Sequence, residues 1–273
     1  MSEYRQQNID RFLGFADLYH QYRPKAPTLI ADILIQYLGR RPQCVVDVGC
    51  GTGLSTFLWE NRADRVLGVE PNASMRQQAI EELTHRGNAT DNAFSFVAGY
   101  SHEIPCEDQT VDLITCSQSF HWMEPVATLK EAARVLRPGG IFATFDCDWP
   151  PSVTVSLEQA YLRFMNAIQQ LENERIISED RVLRYHKDQH LRNIRQSGHF
   201  TFTKEIVLHH GDQMDADAFI GMAMSQGSVQ TAIKEQWEEA LVAKDQFVET
   251  VKQELRDQTL SLVFSYRMRI GVK

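Results

Sequence analysis

Apolar and polar residues alternate in two different rhythms along the first 150 residues. Short runs rich in β-branched residues predict strands, and the longer amphipathic stretches between them predict helices. Strands are expected at residues 44–48, 65–69, 94–98, 111–116 and 141–146. Helices are expected near residues 53–62, 72–86 and 124–136, and "LRPGG" (136–140) is expected to end the last one and turn the chain. This alternation is typical of βαβ units around a parallel sheet.

The regular alternation stops after residue 151. Apolar residues recur at helical spacing between Leu157 and Leu171, and a more basic helical stretch is expected from about 178 to 197. Further helices are expected near 215–225 and 230–257, and two late strands at 200–210 and 261–272. These strands predict an edge pair added to the sheet, with one strand antiparallel.

We therefore expect one α/β domain over residues 1–273, with a doubly wound mixed sheet of about seven strands. Its parts are N-terminal helices (1–43), a core (44–149), helical cap insertions (150–199 and 211–258) and the edge strand pair (200–210 and 261–272).

Composition narrows the classes of protein. The 273 residues are 43% hydrophobic and contain no apolar run near the ~20 residues of a membrane span. The polar start has no secretory signal pattern, so a cytoplasmic protein is expected. Five cysteines without a C-x-x-C pair indicate neither a disulfide framework nor a zinc site. The net charge of −8 makes nucleic acid an unlikely partner, since its phosphates attract basic surfaces.

The stretch "DVGCGTG" (47–53) follows one predicted strand and precedes a helix. Glycines in this position let the backbone turn tightly and approach a ligand at the helix N-terminus. The order G-x-G-x-G differs from the dinucleotide fingerprint G-x-G-x-x-G, since Leu54 stands at its third glycine. No G-K-[ST] follows, so a Walker-type ATPase is excluded. The loop indicates a nucleotide-like ligand.

Glu70 ends the second strand, in "GVEPN", about 20 residues after the loop. A carboxylate at this distance is typical of an acid that accepts both ribose hydroxyls of a bound nucleoside. The loop and the acid together predict a nucleoside-binding site.

At these residues the sequence resembles the class I S-adenosylmethionine-dependent methyltransferases, in particular the small-molecule branch often called type 11. Asp47, Gly49, Gly51 and Gly53 match the family's E/D-x-G-x-G-x-G motif, and Glu70 matches its ribose-binding acid. The resemblance continues to residue 146, about half of the chain. It implies a Rossmann-like fold and S-adenosylmethionine as cofactor, with S-adenosylhomocysteine as its product.

The resemblance also implies roles for residues after the third and fourth strands. Tyr100, Ser101 and His102 are expected at the adenine, although many members carry Asp at the position of Tyr100. Ser117 and Gln118 are expected to line the cofactor pocket. Asp112, near the start of the fourth strand, is expected to be structural.

The segment "FADLYHQYRPKAP" (15–27) resembles the lid of members with Tyr-Arg-Pro near the start. By this resemblance Arg23 reaches the methionine carboxylate of the cofactor, and Tyr19 and Tyr22 are lid aromatics near the substrate. The alternative is an ordinary amphipathic helix stopped by Pro24.

His121 and Trp122 lie just past the fourth strand, on the ligand side of such sheets. His121 is the candidate general base or substrate hydrogen-bonding group, and Trp122 a candidate substrate wall. The alternative for His121 is a packing role. This pair and the lid resemble trans-aconitate-type carboxyl methyltransferases.

Three other features give weaker signals. His186 and His190 have i, i+4 spacing but lack the glutamate of H-E-x-x-H, so no metal is predicted. "FIGMAM" (219–224) could close over an apolar substrate or pack in the core. Basic residues in the stretch 181–195 could bind an anionic substrate or RNA, or face solvent. They are Arg181, Arg184, Arg192 and Arg195.

The predicted activity is methyl transfer from S-adenosylmethionine to an oxygen, nitrogen or carboxylate of a small metabolite. The alternatives are an RNA or protein methyltransferase, a cofactor-binding protein without turnover, and a nicotinamide oxidoreductase.

Overall fold

A computed structural model describes residues 6–87, 93–177 and 182–273. Its centre is a seven-stranded sheet in the order β3-β2-β1-β4-β5-β7-β6. The strands are β1 (Cys44–Val48), β2 (Arg65–Val69), β3 (Phe94–Val97), β4 (Val111–Ser117), β5 (Leu136–Cys147), β6 (Phe202–Met214) and β7 (Leu260–Val272). Strands β1 to β5 pair in parallel. Strand β7 is antiparallel to both β5 and β6, which confirms the predicted mixed sheet.

Helices cover both faces of this sheet. They are α1 (Gln6–Asp10), α2 (Ala16–Tyr22), α3 (Leu29–Leu38), α4 (Ala73–Arg86), α5 (Pro125–Val135), α6 (Val155–Arg175), α7 (His190–Gln196), α8 (Ala216–Met224), α9 (Gly227–Lys234) and α10 (Glu238–Leu255). Two hydrophobic clusters, one on each face, bury the apolar residues of the strands. Across the described ranges, every helix is too short or too polar to span a bilayer.

The helix predicted at 53–62 is wrong, because only the single 3-10 turn Thr56–Trp59 forms there. Phe57 and Trp59 in this turn are both buried. The preceding Gly51 and Gly53 have φ of 57° and 82°, outside the helical region. Asn61 also has a positive φ, of 59°, so helical backbone is interrupted on both sides of this turn.

"LRPGG" belongs to a strand rather than to a turn alone. Helix α5 ends at Val135 near the predicted boundary, but β5 begins directly at Leu136. The backbone of Gly139 donates to the carbonyl of Lys273 at 2.9 Å, and Lys273 donates back to Gly140 at 2.9 Å. The chain end therefore extends the sheet at a place that local sequence marks as a turn.

The cap differs from its prediction in two places. Residues 182–186 are not helical, so the basic helix expected at 178–197 is reduced to α7 and the 3-10 turn Lys187–Gln189, and residues 178–181 lie outside the described ranges. The stretch 230–257 contains two helices, because the chain turns at Gln236 (φ 52°) to bury Trp237.

Asp112 supports the sheet away from the ligand side. Its side chain is fully buried and accepts hydrogen bonds from the backbones of Gln43 and Cys44, at 2.7 and 2.9 Å. The guanidinium groups of Arg40 and Arg137 pair with the same carboxylate. These contacts agree with the structural role expected for Asp112.

Candidate functional site

A cavity lies at the carboxyl ends of β1, β2 and β4, and helices α1 and α2 lie over it. This is the edge at which ligands bind in open α/β sheets. The residues lining it come from the glycine loop, the ends of the strands and the N-terminal helices. Those that sequence analysis singled out are Tyr19, Arg23, Gly49, Gly51, Glu70, Tyr100, Ser101, His102, Ser117, Gln118 and Trp122.

Two of the three loop glycines, Gly49 and Gly53, approach neighbouring side chains too closely to carry a Cβ. Gly49 has φ of 67°, and a Cβ there would lie 2.7 Å from the Cβ of Ser119. Gly51 also has a positive φ and lines the cavity. Gly53 does not line it: a Cβ there would lie 2.8 Å from the ring of Phe57 in the core. The predicted cofactor role of Gly53 is therefore corrected to a packing role.

Asp47 anchors the loop from beneath. It is fully buried and outside the cavity lining. Its carboxylate accepts hydrogen bonds from the hydroxyls of Ser55 (2.9 Å), Thr56 (2.7 Å) and Thr115 (2.7 Å). Burial raises the pKa of Asp47, and the three hydroxyls act to lower it. Asp47 thus shapes the loop without touching the cavity, unlike its predicted role.

Glu70 lies at the tip of β2 with its carboxylate turned to the loop. Oε2 accepts a hydrogen bond from the backbone of Gly51 at 3.0 Å, and Oε1 accepts one from the backbone of Asn72 at 2.8 Å. Burial raises the pKa of Glu70 to about 7, although these two hydrogen bonds act to lower it. Glu70 is therefore held in place by backbone groups at the wall of the cavity.

The segment after β3 lines the same end of the cavity. The rings of Tyr100 and His102 stack with centroids 5.6 Å apart. The Ser101 hydroxyl lies 2.7 Å from the hydroxyl of Thr128, which fixes this turn against α5. Tyr100, Ser101 and His102 therefore lie together in the wall of the cavity.

Arg23 lies across the cavity, at the end of α2. Its guanidinium is 5.0 Å from the ring centroids of both Tyr19 and Trp149, and Nη2 donates to Gln226 Oε1 at 3.2 Å. Its Nη1 is buried and has no hydrogen-bond partner within the described ranges. An unpartnered guanidinium nitrogen in a cavity wall can bind an anionic group of a ligand.

Tyr22 has a different place from the one predicted. It is absent from the cavity lining and packs on Gly221 of α8, where any Cβ would overlap its ring. Tyr22 is the last residue of α2 and its ring lies against α8, so of the two tyrosines only Tyr19 lines the cavity. Tyr22 attaches the lid to the cap.

Sequence reasoning missed several lining residues. Asn8 attaches helix α1 to the segment that contains Leu183. Its Nδ2 donates to the carbonyl of Leu183 at 2.8 Å, and its Oδ1 accepts from the backbone of Leu183 at 2.9 Å. Phe12 and Trp149 add aromatic walls. Thr52 lines the loop with a buried hydroxyl that lacks a described partner. The polar N-terminal stretch carries no local motif, whereas Thr52 lies inside a motif that was already recognised.

Comparison with known proteins agrees with this geometry. Residues 46–144 match a protein family described as "Methyltransferase domain". An uncharacterized methyltransferase of Mycobacterium tuberculosis is 37% identical over 123 residues, which are 45% of this chain and 46% of that protein. The chain is thus similar to methyltransferases over less than half of its length.

A second relative and a solved structure are also similar to this chain. A probable S-adenosylmethionine-dependent methyltransferase of Saccharomyces cerevisiae is 28% identical over 46% of this chain and 43% of its own. The chain thus spans less than half the length of the curated relatives it matches. A type II methyltransferase structure from Anaeromyxobacter dehalogenans shares the fold, with a TM-score of 0.67, 18% identity, and coverage of 92% of this chain and 98% of its own.

Trp122 lines the cavity but His121 does not. His121 is buried, and its Nδ1 lies 3.6 Å from Asp146 Oδ1. Burial lowers the pKa of His121 to about 3, although Asp146 acts to raise it. The geometry thus places His121 behind the wall, as in the alternative packing role. Its predicted contact with substrate is not part of this arrangement.

His121 belongs to a buried polar cluster centred on Asp146. Ligand atoms of His121, Asp146 and His190 all lie within 4.8 Å of one another. The Asp146 carboxylate also lies 2.9 Å from Lys187 Nζ and 3.3 Å from Arg269 Nη1. A divalent cation would meet two positive charges there, so these donors do not fit a metal site. His186 is exposed and lies outside this cluster.

The remaining candidates lie away from the cavity. Arg184 stacks over Trp122 at 4.7 Å, on the side of a second, polar pocket. Arg192 and Arg195 bond to Gln196 and Thr203 on the exposed face, and Arg181 lies outside the described residues. In "FIGMAM", Phe219 and Met222 are fully buried in the core. That segment does not line the cavity.

Proposed function

We propose that this protein is a methyltransferase that transfers the methyl group of S-adenosylmethionine to a small molecule. One observation carries the proposal. A single cavity joins the carboxylate of Glu70, the positive-φ backbone of Gly49 and Gly51, and the unpartnered Nη1 of Arg23. These groups match a ligand with a nucleoside at one end and an anionic group at the other.

The residues present fit this cofactor. Glu70 would accept hydrogen bonds from the ribose hydroxyls, and Tyr100, Ser101 and His102 would surround the adenine. Gly49 and Gly51 would let the ligand approach the backbone, since side chains there would fill the space or strain the loop. Arg23 Nη1 and the Thr52 hydroxyl are buried polar atoms without described partners, and a polar ligand would satisfy them.

The cofactor supplies a sulfonium-bound methyl group that an in-line nucleophile can accept without a covalent enzyme intermediate. The chain would contribute orientation and exclusion of water. Positioning of two reactants can contribute up to ~7–11 kcal/mol to lowering a barrier. Ser117, Gln118 and Trp122 would contact the acceptor end. His121 would act by supporting this wall, because a neutral buried imidazole that contacts Asp146 does not reach the cavity.

The enclosure of the cavity supports a small acceptor. Helices α1 and α2 cover it, and the lid is held by Asn8 at Leu183, by Arg23 at Gln226, and by Asn72, whose Nδ2 donates to the carbonyl of Ile9 at 2.9 Å. A folded protein or an RNA helix would have to displace these contacts. A small metabolite fits beneath them.

The experiment is transfer of label from methyl-labelled S-adenosylmethionine to a cell extract fractionated into small metabolites, RNA and protein. We expect label in the metabolite fraction with the wild-type protein, and a loss of at least 90% of it with Arg23→Met. Glu81→Gln, at an exposed position on α4, is the control and should retain full transfer. Label confined to RNA or protein would contradict the small-molecule proposal. Cofactor binding without any transfer would favour a non-catalytic protein.

A further inference from the structure

Lys187 connects the cavity wall to the buried Asp146. It lies on the 3-10 turn Lys187–Gln189, in the segment that follows residue 182. Its Nζ is 3.0 Å from Gln118 Oε1 and 2.9 Å from Asp146 Oδ1. The Lys187 side chain is one-third exposed, and that of Asp146 is buried. The ammonium group is thus placed between a cavity-lining amide and a buried carboxylate.

The backbone of Gln118 is fixed where it leaves β4. Gln118 has φ of 53°, and its N–H donates to the carbonyl of Phe145 on β5 at 2.9 Å. A left-handed backbone conformation is unfavourable for a non-glycine residue and persists only where neighbours hold it. The neighbouring strand therefore fixes the point from which the side chain starts.

The side-chain amide of Gln118 has only one orientation that suits Lys187. An ammonium group has donors and no acceptor, so the amide must turn Oε1 towards Lys187. The two N–H bonds of Nε2 then point elsewhere, and they donate to no protein group in the part of the chain that is described. Because Gln118 lines the cavity, these donors are available to a ligand there.

This amide lies apart from the proposed ribose site. Glu70 follows β2 and Gln118 follows β4, with β1 between them. Neighbouring strands are about 4.8 Å apart, so the two strand ends are separated by roughly 10 Å. Phe12, Trp122 and Trp149 provide aromatic walls near the lid. This part of the cavity is the acceptor end.

Lys187 also brings a positive charge to the acceptor end. Burial raises the pKa of the nearby Cys147 thiol to about 12, and the charge of Lys187 acts to lower this pKa, whereas that of Asp148 acts to raise it. Asp146, which balances Lys187, is itself paired with Arg269. An oxygen with negative charge would therefore be favoured here over a cationic group.

We propose that Lys187 is a positioning residue that turns the Gln118 amide donors into the acceptor end, where they bind a carboxylate oxygen of an apolar or aromatic methyl acceptor. This rests on the proposed function, because the acceptor end is defined by the place of the cofactor. The carboxylate is the recognised group, and no bond to it forms or breaks in this step.

The test is binding of two matched probes, 3-phenylpropanoate and 3-phenylpropylamine, to protein saturated with S-adenosylhomocysteine. Saturation-transfer NMR titrations would compare wild type with Lys187→Met, Lys187→Arg and the exposed control Lys204→Met. S-adenosylhomocysteine affinity, measured first by calorimetry, is expected within about threefold of wild type in all variants. The acid should bind wild type, weaken at least tenfold in Lys187→Met, and recover to within about threefold in Lys187→Arg, since a guanidinium also only donates.

Three results would overturn this proposal alone, given normal S-adenosylhomocysteine binding. They are failure of the acid to bind wild type, equal binding of the amine, and unchanged acid binding in Lys187→Met. Failure of wild type to bind S-adenosylhomocysteine would instead remove the proposed function, and with it the definition of the acceptor end. Rescue by Lys187→Arg distinguishes positioning from general disruption of the fold.

Discussion

The carboxylate of Glu70 accepts a hydrogen bond from the backbone of Gly51 at 3.0 Å. Its other oxygen accepts one from the backbone of Asn72 at 2.8 Å. One side chain thus joins the glycine loop to the start of α4, and each oxygen keeps a further lone pair for a ligand. The glycine loop and Glu70, the two strongest motifs of the sequence, are therefore joined by a direct hydrogen bond.

Glu70→Gln tests whether the carboxylate of Glu70 is needed to bind the ligand. The amide keeps the size of the side chain, but its NH2 group would face one of the two backbone N–H donors. We expect S-adenosylhomocysteine affinity to fall at least tenfold, because loss of a charge-assisted hydrogen bond costs about 1.5–3 kcal/mol. Isothermal titration calorimetry would measure it, with Glu81→Gln as the matched control. Unchanged affinity in Glu70→Gln would show that the carboxylate is not a ligand group.

The raised pKa of Glu70 predicts pH-dependent binding. Burial raises this pKa to about 7, so the free protein binds a proton on Glu70 below that pH. If the ionised form binds the ribose, affinity for S-adenosylhomocysteine should fall by up to about tenfold per pH unit below 7. Calorimetry at pH 6.0 and 8.0 measures this effect, which Glu70→Gln should remove. Tighter binding at pH 6.0 would contradict the assignment.

The raised pKa of Glu70 has the opposite effect on folding: it makes the ligand-free protein less stable as pH rises. Between the usual pKa of 4.5 and about 7, the folded chain holds a proton that the unfolded chain has released. The contribution of Glu70 to stability is therefore present below pH 4.5 and is lost as pH rises through 7. The ligand-free protein bears a burial cost at Glu70 at neutral pH, which is the pH where the carboxylate can bind ligand.

Comparison of Gly49→Ala with Gly39→Ala separates the effect of a steric clash with Ser119 from the effect of a side chain at a positive φ. Both glycines have positive φ, but a Cβ at Gly49 would meet Ser119 at 2.7 Å, whereas a Cβ at Gly39 would meet nothing within 4 Å. We expect Gly39→Ala to cost about 1 kcal/mol of unfolding free energy and to bind S-adenosylhomocysteine normally. Gly49→Ala should cost more and lose detectable binding. Equal behaviour of the two variants in urea unfolding and calorimetry would disprove the tight loop.

Asp47→Ala tests the anchor beneath the loop. The substitution leaves the hydroxyls of Ser55, Thr56 and Thr115 without their common acceptor. We expect a loss of about 3 kcal/mol in unfolding free energy and weaker cofactor binding. Asp64→Ala is the control, because Asp64 forms an exposed ion pair with Arg41 and should cost below about 1 kcal/mol. Wild-type stability in Asp47→Ala would refute the anchoring role.

The buried histidines predict loss of stability in acid. Burial lowers the pKa of His121 to about 3 and that of His190 to about 4. Below the usual value of 6.5 the unfolded chain binds protons at both residues and the folded chain does not, so stability falls as pH drops from 6.5 towards 4. Urea unfolding at pH 7.5 and 5.0 should show this decrease, reduced in His190→Gln. An identical decrease in that variant would exclude His190 as a source.

The sequence was sufficient for the sheet and for the loop. Strands β1 and β2 lie within the predicted bounds because period and composition agree there. The loop and Glu70 are close in sequence to the strands that carry them, so their placement follows from the βαβ connection. Asp47 and Gly53 show the limit of a motif, because the motif does not say which residues face the ligand and which face the core.

Contacts between residues far apart in the chain could not be predicted from local sequence patterns. His121 faces Asp146 because β4 and β5 are neighbours, and Lys187 reaches both Asp146 and Gln118 only after the cap has folded back. The stretch containing Lys187 has the charge pattern of a solvated helix, and it is held at Leu183 by Asn8, which lies 175 residues earlier in the chain. The sequence pattern within the segment does not indicate that Asn8 is its partner.

The most direct test of the central claim is calorimetric titration of the wild-type protein with S-adenosylhomocysteine and, separately, with NAD. We expect one binding site for S-adenosylhomocysteine, with affinity lost in Arg23→Met and Glu70→Ala, and no binding of NAD at the same concentrations. Binding of NAD in preference to S-adenosylhomocysteine, or unchanged S-adenosylhomocysteine affinity in both variants, would contradict the assignment of the cavity.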